Sequence, residues 1–125
     1  MNGLSGGVKN TRGLNGDTGS QVAKSVAANS GTTIIHTVTA GKAFYLDSVA
    51  LSHDGFGTGT CNLFIRNGSD VLTVELLWLC SAANVIRDRQ NQYKYPIKIT
   101  AGYDICLGVG GVTAHACITG WEEDV

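Results

Sequence analysis

The chain has 125 residues, 43% of them hydrophobic and only 15% charged, with a formal net charge of −1. That length builds one domain with its own core. The charged share falls well below the roughly 25% typical of soluble domains, so part of the surface is expected to face something other than water. No run of Lys or Arg offers the counterion-displacing stripe that a nucleic-acid binder needs. No apolar stretch approaches the roughly 18 residues of a membrane-spanning helix. The N-terminus lacks the apolar core of a secretory leader. Neither a nucleic-acid nor a membrane partner is therefore expected.

Residues 1–31 hold seven of the 17 glycines and no aromatic residue. Such a segment buries too little apolar surface to offset its chain entropy. Residues 1–30 are accordingly read as a flexible or extended arm and residues 31–125 as the folded domain. Within the arm, Leu4, Val8, Lys9, Arg12 and Leu14 are the residues expected to bind a partner. Gln21–Ala28 reads as a strand in preference to a short helix.

From Thr32 the texture becomes short apolar runs divided by turn residues. TTIIHTVT is β-branched, and AGK turns the chain. In AFYLDSVALSHD, Phe44 and Leu46 share one face but Val49 and Leu51 fall on the opposite phase, which predicts a bulge near Asp47. CNLFIRN places Cys61, Leu63 and Ile65 on one face. Asn67-Gly68 signals a hairpin. VLTVELLWLC is too continuous for a half-wet strand. Its Leu76, Leu77, Trp78 and Leu79 are assigned to the core and an oligomer interface. RDRQNQ reads as a polar edge, and YKYPIKIT places Tyr95, Ile97 and Ile99 together, with Pro96 confined to an edge or a bulge. YDICLGV and VTAHACITGW close the chain. The pattern predicts an all-β fold of about eight antiparallel strands, a sandwich or barrel.

The last stretch, YDICLGVGGVTAHACITGW, raises the question of a metal or thiol site. Val109-Gly110-Gly111-Val112 reads as a two-residue hairpin. This places Ile105, Leu107 and Val109 on the face of Val112, Ala114, Ala116 and Ile118, and gathers Cys106, His115 and Cys117 on the other face beside Asp104. Structural zinc sites usually carry tight CxxC knuckles, and none of the four cysteines forms one. A half-buried sheet face is preferred over a metal site. Cys106–His115 is the sole conceivable nucleophile–base pair, and it sits in mid-sheet rather than in a cleft. The carboxylates form no recognisable acid/base pair, and the glycine-rich pieces do not sit between a strand and a helix as phosphate loops do. No cofactor, metal or enzymatic activity is expected. Asn67-Gly68-Ser69 matches a glycosylation sequon, but the turn reading is preferred.

Two stretches carry a resemblance. HTVTAGKAFYLDSVALSHD resembles the "V-x-A-G-K-x-F-Y-L" opening of small jelly-roll proteins of tailed bacteriophages. YPIKITAGYDICLGV, with the later ITGWEE, resembles their "P-I-K-x-x-A-G-x-x-I" and "G-[WY]-E-E" pieces. The resemblance covers residues 33–53 and 95–123. It implies a jelly roll and a virion structural role as a capsid decoration or cement protein. It also implies a homotrimer on the capsid surface, assembled in the host cytoplasm, with an arm reaching across neighbouring subunits of the major capsid protein. The alternative is a carbohydrate- or receptor-binding module of a tail or fibre, using Tyr93, Tyr95, Tyr103 or Trp121.

Overall fold

The computed structural model describes residues 19–54, 58–81 and 87–125. Within them the chain is all-β: six strands form one curled antiparallel sheet. They are β1 (Ser20–Thr37), β2 (Lys42–His53), β3 (Gly59–Arg66), β4 (Leu72–Ser81), β5 (Arg87–Thr100) and β6 (Asp104–Asp124). The central path runs β4-β3-β6-β2-β5, and β1 pairs with β6.

β6 is the spine. Its first part, residues 104–110, lies between β1 and β3; its second part, residues 114–124, lies between β1 and β2. The sheet thus has two halves that share two long bent strands. One half is β1 (30–37), β6 (104–110), β3 and β4; the other is β1 (20–28), β6 (114–124), β2 and β5. At the bend, Ala28 pairs with Ala114 and Ser30 with Gly110, so Asn29 alone faces residues 111–113. Gly111 takes φ 87° and Gly31 φ 71° there, a region that side-chain-bearing residues rarely occupy.

One buried cluster joins both halves. Phe44, Leu46 and Leu51 of β2, Leu63 of β3, and Ile105, Leu107 and Ile118 of β6 are each at most 1% exposed and belong to it. Removing side chains of this size from water is the main favourable term in such a fold, roughly 1.5–3 kcal/mol for each.

The described residues form six strands, fewer than the expected eight or so, because three predicted breaks between strand segments are not reversals. Gln21–Ala28 continues through Gly31 into Thr37 as β1. RDRQNQ and YKYPIKIT form the single strand β5. The Val109–Val112 hairpin does not exist: the glycine pair bends β6 without turning it back. The expected inward set of β6 nevertheless holds, with Ile105, Leu107, Val109, Val112, Ala114, Ala116 and Ile118 all buried. A hairpin and a bend both skip the two glycines, and both preserve that phase. Residues 20–30, read as part of an arm, are strand paired with β6.

Several local expectations hold. Asp47 is the extra residue of a bulge, since Leu46 pairs with Gly120 and Ser48 with Thr119. Cys61, Leu63 and Ile65 are all buried. Pro96 lies on the outermost strand β5, inside an irregular stretch where Leu46 pairs with Ile97 and Ser48 with Gln92. That irregularity separates Tyr95, 78% exposed, from Ile99 in the core, although an unbroken alternation had placed them together. The β3–β4 hairpin forms, but its left-handed residue is Asp70 and not Gly68. Asn67 organises the turn, its Oδ1 accepting from the amides of Ser69 at 2.8 Å and Val71 at 3.1 Å.

Candidate functional site

The predicted Cys/His cluster is not assembled. Cys106 and His115 lie on one strand, nine residues or about 30 Å apart in extended chain. Cys106 is fully buried beside Arg66 and Asp104 in the β3–β4 half. His115 and Cys117 are exposed on the outside of the other half. Among the described residues, no group of three or more His, Cys, Asp or Glu side chains could hold a metal ion. Burial pushes the Cys61 thiol up to about 11 and raises that of Cys106, so neither supplies a thiolate near neutrality.

Two polar clusters do form. In the first, Asp104 receives a hydrogen bond at 2.6 Å from the Thr37 hydroxyl on β1 and one at 3.0 Å from Arg66 Nε on β3. Arg66 also lies 3.4 Å from Asp70. The cluster ties three adjacent strands at the end of the sheet.

The second cluster joins the two halves. Glu122 projects inward from β6, on the face shared with Ile118 and Gly120, and is 6% exposed. His36 donates from Nε2 to Glu122 Oε2 at 2.7 Å. Lys24 reaches across from the other half to donate to His36 Nδ1 at 3.0 Å. These two partners assign the tautomer: Nδ1 accepts and Nε2 carries the proton. The Thr39 amide donates to the same Glu122 oxygen at 3.2 Å, and the Phe44 ring lies 4.9 Å from the imidazole. Burial pushes the Glu122 carboxyl up, but the hydrogen bonds from Thr39 and His36 outweigh it, and the net direction is down.

This cluster sits where the resembling segments converge. The A-G-K turn (Lys42 N to Thr39 O, 3.0 Å) lies against the A-G-Y turn, where Val38 N donates to Tyr103 O and Gly102 N to Val38 O, each at 2.9 Å. The W-E-E-D strand joins the A-G-K turn: Val125 N donates to Gly41 O at 3.2 Å and Lys42 Nζ reaches Asp124 at 2.7 Å. Segments about 80 residues apart in the chain therefore make one structural end.

The expected partner-binding residues divide. Leu4, Val8, Lys9, Arg12 and Leu14 lie outside the described residues. Leu77 and Leu79 occupy the core at 5% and 6% exposure, Leu76 packs against it, and Trp78 is 51% exposed. The alternation of β4 explains the split. On the outer face of this half Trp78 is accompanied by Leu72 and Ile34, both close to half exposed. Sequence reasoning missed Leu72 and Ile34, because each reads locally as an ordinary strand residue. Of the aromatic residues considered for sugar binding, Trp121 is buried and stacked on Tyr45, Tyr93 and Tyr103 pack against the core, and Tyr95 alone is widely exposed. They form no shared platform.

The chain matches no known family model, and no curated protein matches it.

Proposed function

We propose that this chain is a virion structural protein: a jelly-roll capsid decoration protein that acts as a homotrimer and bridges neighbouring subunits of a phage major capsid protein. The reading rests on one observation, the convergence of the A-G-K, A-G-Y and G-W-E-E segments at one end of the sheet. These are the pieces that resemble the decoration proteins, and they are fold-bearing turns rather than catalytic elements. A jelly-roll reading is supported by the pairing, because the bent strands β1 and β6 each serve two halves and so supply eight strand segments.

Mechanically, such a protein stabilises a shell by adding contact area across its seams. A standard interface buries on the order of 1,600 Å² in total. The Trp78–Leu72 face offers the trimer contact, and residues 1–18 offer the attachment to the shell. The test is a binding assay on capsids lacking the protein, comparing the full chain with one lacking residues 1–18. Loss of binding by a folded, still oligomeric truncation is expected; unchanged binding overturns the role of the arm, and no binding by either chain overturns the capsid reading.

A further inference from the structure

The half-sheet made by β1 (30–37), β6 (104–110), β3 and β4 ends on two edges, β1 and β4, and among the described residues neither pairs further. An open edge presents a row of N–H and C=O groups that proteins commonly guard with charge or proline. The third open edge among the described strands, β5, is guarded in this way: its 14 residues include Arg87, Asp88, Arg89, Lys94, Lys98 and Pro96. The other two edges are not. Residues 25–37 of β1 hold no Lys, Arg, Asp, Glu or Pro. β4 carries the single charge Glu75, whose carboxylate accepts from Asn62 Nδ2 at 2.9 Å.

The exposed apolar side chains of this half are divided between those edges. Cross-strand pairs form the outward rows Thr32–Gly108–Asn62–Trp78 and Ile34–Cys106–Phe64–Glu75. Ile34 thus stands on the β1 edge, and Trp78 and Leu72 on the β4 edge, each close to half exposed. Within one chain three strand spacings, about 14 Å, keep them apart. The two edges also run antiparallel to each other, because three antiparallel pairings separate them. A second copy set beside the first in the same orientation therefore brings its β1 antiparallel to β4, with both outward faces on the same side.

We propose that the subunit contact is this head-to-tail pairing: β1 of one copy adds to the β4 edge of the next, with Ile34 beside Trp78. The inference rests on the homotrimer reading and deepens it. A closed trimer needs a heterologous contact, in which two different surfaces meet, and β1 and β4 are two different edges of one sheet. In that register Thr32 lies beside Cys80. Trp78, Leu79 and Cys80 form one wall of a groove of about 550 Å³, and Arg87, Asp88 and Arg89 of β5 form the other. The entering segment Ser30-Gly31-Thr32-Thr33 is small and uncharged. It sets no like charge against either sign on the far wall, and its hydroxyls both donate and accept.

The experiment mixes two single-edge variants of the full chain, Ile34→Glu for the β1 edge and Trp78→Glu for the β4 edge. Both positions are half exposed, so both variants are expected to keep the fold, which an unfolding curve checks. In sedimentation the wild-type chain is expected as a trimer and each variant alone as a monomer. A concentrated equimolar mixture should form a 1:1 dimer, because the intact β1 of the Trp78→Glu chain still meets the intact β4 of the Ile34→Glu chain. A trimeric wild type whose mixed variants stay monomeric, or a variant that stays trimeric alone, overturns the pairing and leaves the trimer standing. A monomeric wild type overturns both, and the capsid-binding assay judges the capsid role separately. A second readout tests the register. In a Cys117→Ser chain, Thr32→Cys is expected to give disulfide-linked trimers through Cys80 on mild oxidation. Within one chain these positions are three strands apart, too far for a disulfide. The absence of linked chains overturns the Ile34–Trp78 register.

Discussion

His36 and Glu122, 86 residues apart in the chain, meet at 2.7 Å with both side chains 7% exposed. Glu122→Ala leaves the His36 N–H and the Thr39 amide without their acceptor. An unsatisfied buried donor costs about 1–3 kcal/mol, and a loss of that order is expected in chemical denaturation at neutral pH. Glu122→Gln keeps an acceptor and should lose less.

The same carboxylate gives the acid limb of the stability profile. Its folded value lies below the ordinary one, so the unfolded chain takes up the proton first. Its stabilising contribution is fully present above the ordinary carboxylate range near pH 4.3 and is lost as pH falls through the lower folded value. The Glu122→Gln chain should show a flatter profile below pH 4.5. Identical acid limbs would assign the loss to other carboxylates.

The two glycines at the bend are not equivalent. Gly110 has open space around it, whereas Gly111 has φ 87° and a Cβ there would meet the Thr58 carbonyl at 2.3 Å. Gly110→Ala should change stability by less than about 0.5 kcal/mol, and Gly111→Ala should destabilise by about 2 kcal/mol or more. A two-residue hairpin, which needs positive φ at both positions, would suffer from both substitutions.

Core and contact residues on β4 should separate cleanly. Leu77→Ala and Leu79→Ala remove core side chains and should cost about 2–5 kcal/mol each. Trp78→Glu should leave unfolding stability nearly unchanged and shift sedimentation towards the monomer. An oligomer unaffected by Trp78→Glu would place the subunit contact elsewhere.

Thiol chemistry gives a further check. Cys61 and Cys106 are buried with raised thiol values, and Cys80 and Cys117 are exposed. At pH 8 a thiol-specific disulfide reagent should leave two thiols unmodified until denaturant is added. Rapid reaction of all four would contradict the burial of Cys61 and Cys106.

The inward faces were legible because alternation is local: Phe44 and Leu46, the slip at Asp47, and the apolar set of β6 all follow from neighbouring residues. The connectivity of the last stretch was not. V-G-G-V satisfies a hairpin and a bend equally well, and the choice is made by β1, which runs past Gly110 and Ala114 on both sides of the bend through Asn29. The same non-locality hid the His36–Glu122 cluster. Nothing near His36 in sequence marks it as an inward residue, since the bulge at Ile35 sets its direction. The Cys106/His115/Cys117 grouping failed for one reason: it depended on a reversal that does not occur.

β6 also sets the timing of folding. Among the described residues, β1 has no partner except β6, and β2 and β3 each lack one neighbour until β6 is in place. Among the described strands, the β3–β4 hairpin is the one pair that closes locally. A ribosome-bound chain that stops before Asp104 therefore carries an 18-residue strand with nothing to pair with. Folding must wait for the last strand and then close long loops, which makes it slow. During synthesis the waiting β1 edge is the part of this protein most open to pairing with the wrong chain.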